Sequence, residues 1–224
     1  MSIINNYIKE VFVMENTFLN EIRLNSSKLH DMAEHTGFIK RLIEGNANVT
    51  TYAEYIYNLY HIYNAIESNL EKNKGNKYIK DFALPEVYRA EAIMKDVKYL
   101  LKDKLDSMEP LISTKVFVNR INHIGEKNKE LLIAHAYTRY LADLFGGRTI
   151  YQIVKENYKI DDKGLNYYIF HEINDLKNFV MGYHEKLNNI KFDETLKKDF
   201  INEISISYIY NISISNELEF DRFK

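Results

Sequence analysis

The chain has no cysteine and no tryptophan, and only 2 prolines and 8 glycines in 224 residues. Without cysteine there is no disulfide framework, no thiolate metal site and no cysteine nucleophile. So little proline and glycine leaves hardly any punctuation for hairpins and short strands. The long stretches with apolar residues at helical spacing therefore point to an all-α protein. An excess of one charge is also lacking. Lys and Arg number 30 against 32 Asp and Glu, a net −2, and no basic field recommends a nucleic acid as partner. No apolar run approaches the ~20 residues needed to span a bilayer. The segment Met1–Glu10 lacks the basic stretch and clean apolar core of a signal peptide. The expectation is one domain over residues 1–224 in the cytoplasm, with no membrane partner and nothing that demands more than a monomer.

What is present centres on residues 131–151, within a helix expected from about 128 to 157. Apolar residues at 132, 133, 136, 140, 144, 150, 153 and 154 predict one buried face of a long helix. Gly146 and Gly147 interrupt it, and each costs about 1 kcal/mol relative to alanine in a helix interior. A long helix carrying that cost bends there or brings its backbone close to something. Asp143 lies one turn before the glycines, with Arg139 four residues earlier. On spacing alone the two read as an ion pair on one helix face.

Before this helix the pattern predicts a first helix from about 15 to 34, a short one from 36 to 44 ending at Gly45, and a third opened by the box Thr51-x-x-Glu54. Next come a helix starting at Pro85 and running to about 103, and one from 113 to 124 ended by Gly125. After it the pattern predicts helices at about 165–188 and 193–220. In the first helix His30 lies close to the apolar face, with Glu34 four residues later and Arg23 two turns earlier. Alone, His30 reads as a partly buried structural histidine. A carboxylate at i+4 is also the partner that fixes a metal-binding tautomer.

Three motifs carry a family resemblance. Lys28-Leu-His-Asp-Met-Ala-Glu-His-Thr-Gly-Phe38 resembles the proximal helix of heme oxygenases, His135-Ala-Tyr-Thr-Arg-Tyr-Leu-Ala-Asp-Leu-Phe-Gly-Gly147 resembles their distal helix, and Leu59-Tyr-His-Ile-Tyr63 a segment between the two. The resemblance spans roughly residues 20–220. It implies an all-α bundle in which heme, both cofactor and substrate, lies between His30 and the glycine-bearing helix. His30 would be the axial ligand of the heme iron and Glu34 the support of its outer nitrogen. Arg23, Tyr137, His184 and Tyr208 would contact heme, the first three at its propionates. Lys177 or Lys186 would supplement a weaker His184 anchor. Gly146 and Gly147 would let the backbone approach the ring. Asp143 would hold a water beside the bound dioxygen, in a network with Tyr63, Arg139 and Asn211. The implied products are biliverdin, with the alpha isomer expected, carbon monoxide and ferrous iron. Electrons would come from a separate reductase, ferredoxin or flavodoxin, with no bound flavin.

The chain departs from the family pattern at three places. Ala142 stands where glycine is usual, Phe145 where serine is usual, and Val180 with His184 where the propionate anchors are usually basic. The first two motivate an alternative, a heme-binding sensor or carrier with little turnover. A thiaminase-like hydrolase would need the missing cysteine. A di-metal oxidase needs more inward carboxylates and histidines than His30, Glu34 and Asp143 provide.

Overall fold

Helical periodicity resolves into eight α-helices within residues 17–223, the span that the computed structural model describes. They are α1 (Phe18–His35), α2 (Gly37–Ile43), α3 (Val49–Lys72), α4 (Ala90–Leu101), α5 (Ile112–Lys127), α6 (Leu132–Glu156), α7 (Leu176–Asn188) and α8 (Glu194–Arg222). Short 3-10 turns join several of them, and the described residues contain no strand. None of these helices is long and apolar enough to cross a membrane. The N-terminal segment read for a signal peptide lies outside the described residues.

Two helices form the frame. α3 is buried along most of its length through Tyr52, Ile56, Leu59, Ile62, Tyr63, Ile66 and Leu70, with α4 and α5 against it. α8 packs against α1, α2, α5 and α6. α6 lies between the two and touches both, so residues 132–144 are almost continuously buried. The corner between α1 and α2 is tight. Gly37 has φ +57°, and a Cβ there would come within 2.7 Å of the Ser215 backbone on α8. The Ser215 hydroxyl fastens this corner, donating to the Thr36 carbonyl at 3.2 Å and accepting from the Ile39 amide at 3.1 Å.

Several expected boundaries move. α3 begins at Asn48, whose Oδ1 accepts the Thr51 amide at 2.9 Å. Glu54, expected to complete a capping box, instead pairs with Arg222 at 2.5 Å. Pro85 opens only a 3-10 turn, and the following helix starts at Ala90. There the Glu67 carboxylate accepts the amides of Arg89 and Ala90 at 2.6 and 3.1 Å, an acceptor at the positive end of α4. Gly125 does not end α5. It lies inside the helix, where a Cβ would meet the Asn69 side chain at 2.2 Å. The helix expected from 165 starts at Leu176; Asn166–Tyr168 form a 3-10 turn instead, whose Asn166 and Tyr167 amides donate to the buried Asp96 carboxylate at 2.8 and 2.7 Å. The central helix starts at Leu132, and its hydrogen bonding continues through Gly146 and Gly147, neither of which takes a positive φ.

α6 is fixed to α5 and α8 by a buried ionic cluster. His135 Nε2 lies 2.8 Å from Glu203 Oε1, and the Arg120 guanidinium grips the same carboxylate. Burial lowers the His135 pKa, against the pull of Glu203, so the ring is neutral and donates its Nε2 proton. Burial acts to raise the Glu203 carboxyl, but His135 and Arg120 together hold it at about 2, below its ordinary 4.5. A depressed carboxylate contributes stability that is complete above pH 4.5 and is lost as pH falls through about 2. Glu203→Gln is therefore less stable than the parent chain at neutral pH, and the gap narrows as acid is added across that window, as measured by urea unfolding at a series of pH values.

Candidate active site

The turn of α6 before the glycines carries a buried acid–base cluster. Asp143 is 8 % exposed and Arg139, one turn earlier, 9 %. Arg139 Nη2 sits 3.5 Å from Asp143 Oδ1, near the limit of a hydrogen bond, so charge attraction is the larger part of this contact. The short bonds to the carboxylate come from phenols. Tyr63 of α3 donates to Oδ2, and Tyr167 donates to Oδ1 at 2.6 Å. Arg139 in turn donates from Nε to the Tyr63 hydroxyl at 3.1 Å, from Nη2 to the Tyr167 hydroxyl at 3.0 Å and from Nη1 to Asn211 Oδ1 at 3.0 Å. The Asn211 amide is oriented by donating to the Ser207 carbonyl at 2.8 Å. The structure thus brings together Tyr63, Arg139, Asp143 and Asn211.

Electrostatics follow from the burial. Asp143 is raised above the ordinary carboxylate range by burial, opposed by Arg139, Tyr167, Tyr63 and Arg89. Arg139 stays firmly charged: burial works against it, but Tyr63, Tyr167 and Asp143 outweigh the loss of water. The phenols of Tyr63 and Tyr167 are pushed well up, chiefly by burial, so both remain protonated donors. The pair is therefore not the exposed i, i+4 bridge that spacing alone suggested.

Outside this cluster α6 shows an open face. Ala142 and Phe145 are exposed, and a Cβ on Gly146 would meet nothing within 4 Å. Gly147 is buried, with its nearest neighbour the Tyr168 ring at 3.6 Å. On α1 the His30 side chain is 48 % exposed, with Nε2 3.8 Å from Glu34 Oε1. A half-turn of the ring about χ2 exchanges each nitrogen with a carbon, Nε2 with Cε1 and Nδ1 with Cδ2, and so turns Nε2 away from Glu34. Tyr208 of α8 packs edge-on to His30, 5.9 Å between centroids. α1 and α6 both rest on α8, and they meet at Arg23 and Tyr137.

A second group forms at that meeting point. The Tyr137 hydroxyl is raised by burial, with Arg23 in hydrogen-bonding reach opposing the shift. Burial and the nearby Arg23 charge lower His184 to about 4, so it is a neutral hydrogen-bonding group at neutral pH. Phe145 lies beside His184, 6.4 Å between centroids at 22°. Val180 is buried one turn from His184. Lys177 and Lys186 are both exposed. Lys186, two residues past the buried His184, lies on the opposite side of α7, so the structure does not bring it to Arg23, Tyr137 and His184. Sequence reasoning missed Tyr167 and the Asp96 that holds its segment. A tyrosine in a chain with 18 of them gave no local sign of reaching Asp143.

These features define a class: an all-helical protein with a half-exposed histidine on one helix, a glycine-bearing open face on another, and cationic and neutral hydrogen-bond donors at one end. The family model for heme oxygenase matches residues 16–217. A heme oxygenase of Porphyra purpurea is 37 % identical over 207 residues, 92 % of this chain and 88 % of that one. The structure is similar to the crystal structure of heme oxygenase-1 from the cyanobacterium Synechocystis sp. PCC 6803 in complex with heme, with TM-score 0.87, 28 % identity, and 92 and 94 % of the two chains covered. It is also similar to the heme oxygenase of Leptospira interrogans, with TM-score 0.86, 30 % identity, and 90 and 100 % covered. The chain belongs to the heme oxygenase family.

The cluster makes a prediction about the protein without ligand. Arg139→Ala leaves the Asp143 carboxylate buried without its cation. It lowers stability by about 3 kcal/mol at pH 7 in urea unfolding, whereas an exposed pair would lose a few tenths of that unit.

Proposed function

We propose that this protein is a heme oxygenase that uses O2 and electrons from a separate donor to cleave bound heme to biliverdin, chiefly the alpha isomer, with release of carbon monoxide and ferrous iron. The observation that carries the reading is a carboxylate pinned by two phenols and a guanidinium directly behind the open face of Gly146. The residues fit the group. An imidazole with a carboxylate one turn away suits a ligand of iron, and the empty space over Gly146 suits the close approach of a flat ring.

His30 would hold the iron, with Glu34 steadying the nitrogen turned away from it. Arg23 and Tyr137, with His184 as a neutral donor, would grip the propionates and so set which edge of the ring lies beneath the Asp143 cluster. Lys177 stands on the same helix as an exposed supplementary cation. Heme itself supplies the iron that binds O2 and the carbon skeleton that is opened. The chain's part is to place a proton. Asp143 Oδ2 accepts from Tyr63 and keeps an acceptor position for a water, while Oδ1 is taken by Tyr167 and faced by Arg139. A water anchored there presents its proton to the slot without any side chain having to titrate near the working pH. Arg23 and Lys177 are the cations near this end that an acidic electron donor would meet.

The alternative of a carrier with little turnover rested on Ala142 and Phe145. Phe145 is 54 % exposed beside His184, and the Asp143 network forms with it in place. The purified protein mixed with hemin gives a Soret band. Reductant and O2 then abolish the band with formation of biliverdin, and chromatography identifies the alpha isomer. A Soret band that persists with a competent donor, and no biliverdin, contradicts the proposal.

A further inference from the structure

Tyr167 is the one member of the Asp143 cluster that no motif points to. It comes from neither frame helix but from the 3-10 turn Asn166–Tyr168. That turn is held from beneath: Asp96 of α4, fully buried, accepts the Asn166 amide at 2.8 Å, the Tyr167 amide at 2.7 Å and the Asn166 side chain at 2.7 Å. The phenol so placed reaches three members of the cluster. It donates to Asp143 Oδ1 at 2.6 Å, accepts from Arg139 Nη2 at 3.0 Å and lies 3.1 Å from the Tyr63 hydroxyl.

We propose that Tyr167 is a positioning residue for the heme-cleaving reaction: with Asp96 as its backbone anchor, its hydroxyl fixes the orientation of the Asp143 carboxylate and the Arg139 fork, and so leaves Oδ2 as the atom that holds the water. This rests on the reading of Asp143 as the water-holding carboxylate. The geometry makes the case. With Tyr63 alone, the carboxylate could turn about χ2 and offer either oxygen to the slot. A second phenol on the other oxygen removes that freedom, and Arg139, 3.5 Å away, is too distant to do so by itself. Both phenols also favour the ionised carboxylate against burial. The charged and titratable groups facing Asp143 are Arg139 on α6, Tyr63, Tyr55 and Glu67 on α3, Arg89 just before α4, and Tyr167 and Tyr168 on the 3-10 turn.

The test has two arms. In the ligand-free protein the Asp143 carboxyl is titrated by carbon-13 NMR, with the signal assigned by its loss in Asp143→Asn. Tyr167→Phe, which removes one donor to the charged form, moves this titration up. 3-Fluorotyrosine at 167 is a stronger donor with ring and hydroxyl kept, and it moves the titration down. Tyr52→Phe deletes a buried hydroxyl in the same layer that donates to Tyr168 at 3.0 Å, and it leaves the titration where it was. In the hemin-loaded protein, Tyr167→Phe keeps hemin affinity but slows heme loss roughly tenfold, the size expected for one hydrogen bond to a charged group. Its effect is not additive with that of Tyr63→Phe, because both act on one carboxylate. If Tyr167→Phe does not fold, the fluorotyrosine arm decides alone. An Asp143 titration unmoved by either change at 167, or moved equally by Tyr52→Phe, overturns the proposal. Failure of the parent protein to consume heme overturns the functional reading and leaves the titration arm standing.

Discussion

One buried charge pair organises the active region. Asp143 and Arg139 sit a turn apart on α6, both largely buried. Neither charge is tolerable there alone, since isolated buried ions cost several kcal/mol each. The surrounding structure answers that requirement from three directions: α3 contributes Tyr63, α8 contributes Asn211, and the Asn166–Tyr168 turn contributes Tyr167. The helices that frame the core are therefore also the ones whose polar groups converge on this pair. A disturbance of α3 packing reaches the carboxylate through one hydrogen bond, and one of α8 packing reaches it by way of Asn211 and Arg139.

The same helix separates two environments. Its inner side holds the ionic network, and its outer side at Ala142, Phe145 and Gly146 is open. The glycines are best understood from that outer side. The helix continues through them with ordinary hydrogen bonding, so their conformational freedom is not what the fold uses. What Gly146 provides is missing volume on that open side, the side that faces the ring in the proposed function. At the end where α1 meets α6, Arg23, Tyr137 and His184 form a mixed anchor with one firm cation and two neutral donors. In the proposed function such a group would hold the heme propionates less rigidly than two arginines would, because a neutral imidazole gives a hydrogen bond without a full charge.

How much of this was legible in the sequence depends on how local each feature is. His30 with Glu34, and Arg139 with Asp143, are one-turn spacings on single helices, and the glycine pair is visible as a break in helix propensity. These could be read directly, and the all-α class followed from the scarcity of proline and glycine. Burial of the Arg139–Asp143 pair could not, because i, i+4 spacing is the same for an exposed bridge and a buried one. Some of the departures from the expected pattern share a cause. Glu67 ends up capping α4, Asp96 holds Asn166 and Tyr167, and Arg222 takes Glu54 away from its expected capping box. Each is a side chain recruited from a distant part of the chain, which local periodicity does not encode. Tyr167 was hidden for the same reason: its role depends on Asp96, some 70 positions earlier.

The central claim is that heme lies between His30 on one helix and the Gly146 face, backed by Asp143, on the other. Optical titration of His30→Ala with hemin tests it most directly. The account predicts that the variant loses the Soret band and coordination of the parent protein and regains them when free imidazole occupies the vacated place. A hemin spectrum and heme consumption unchanged by the substitution would contradict it.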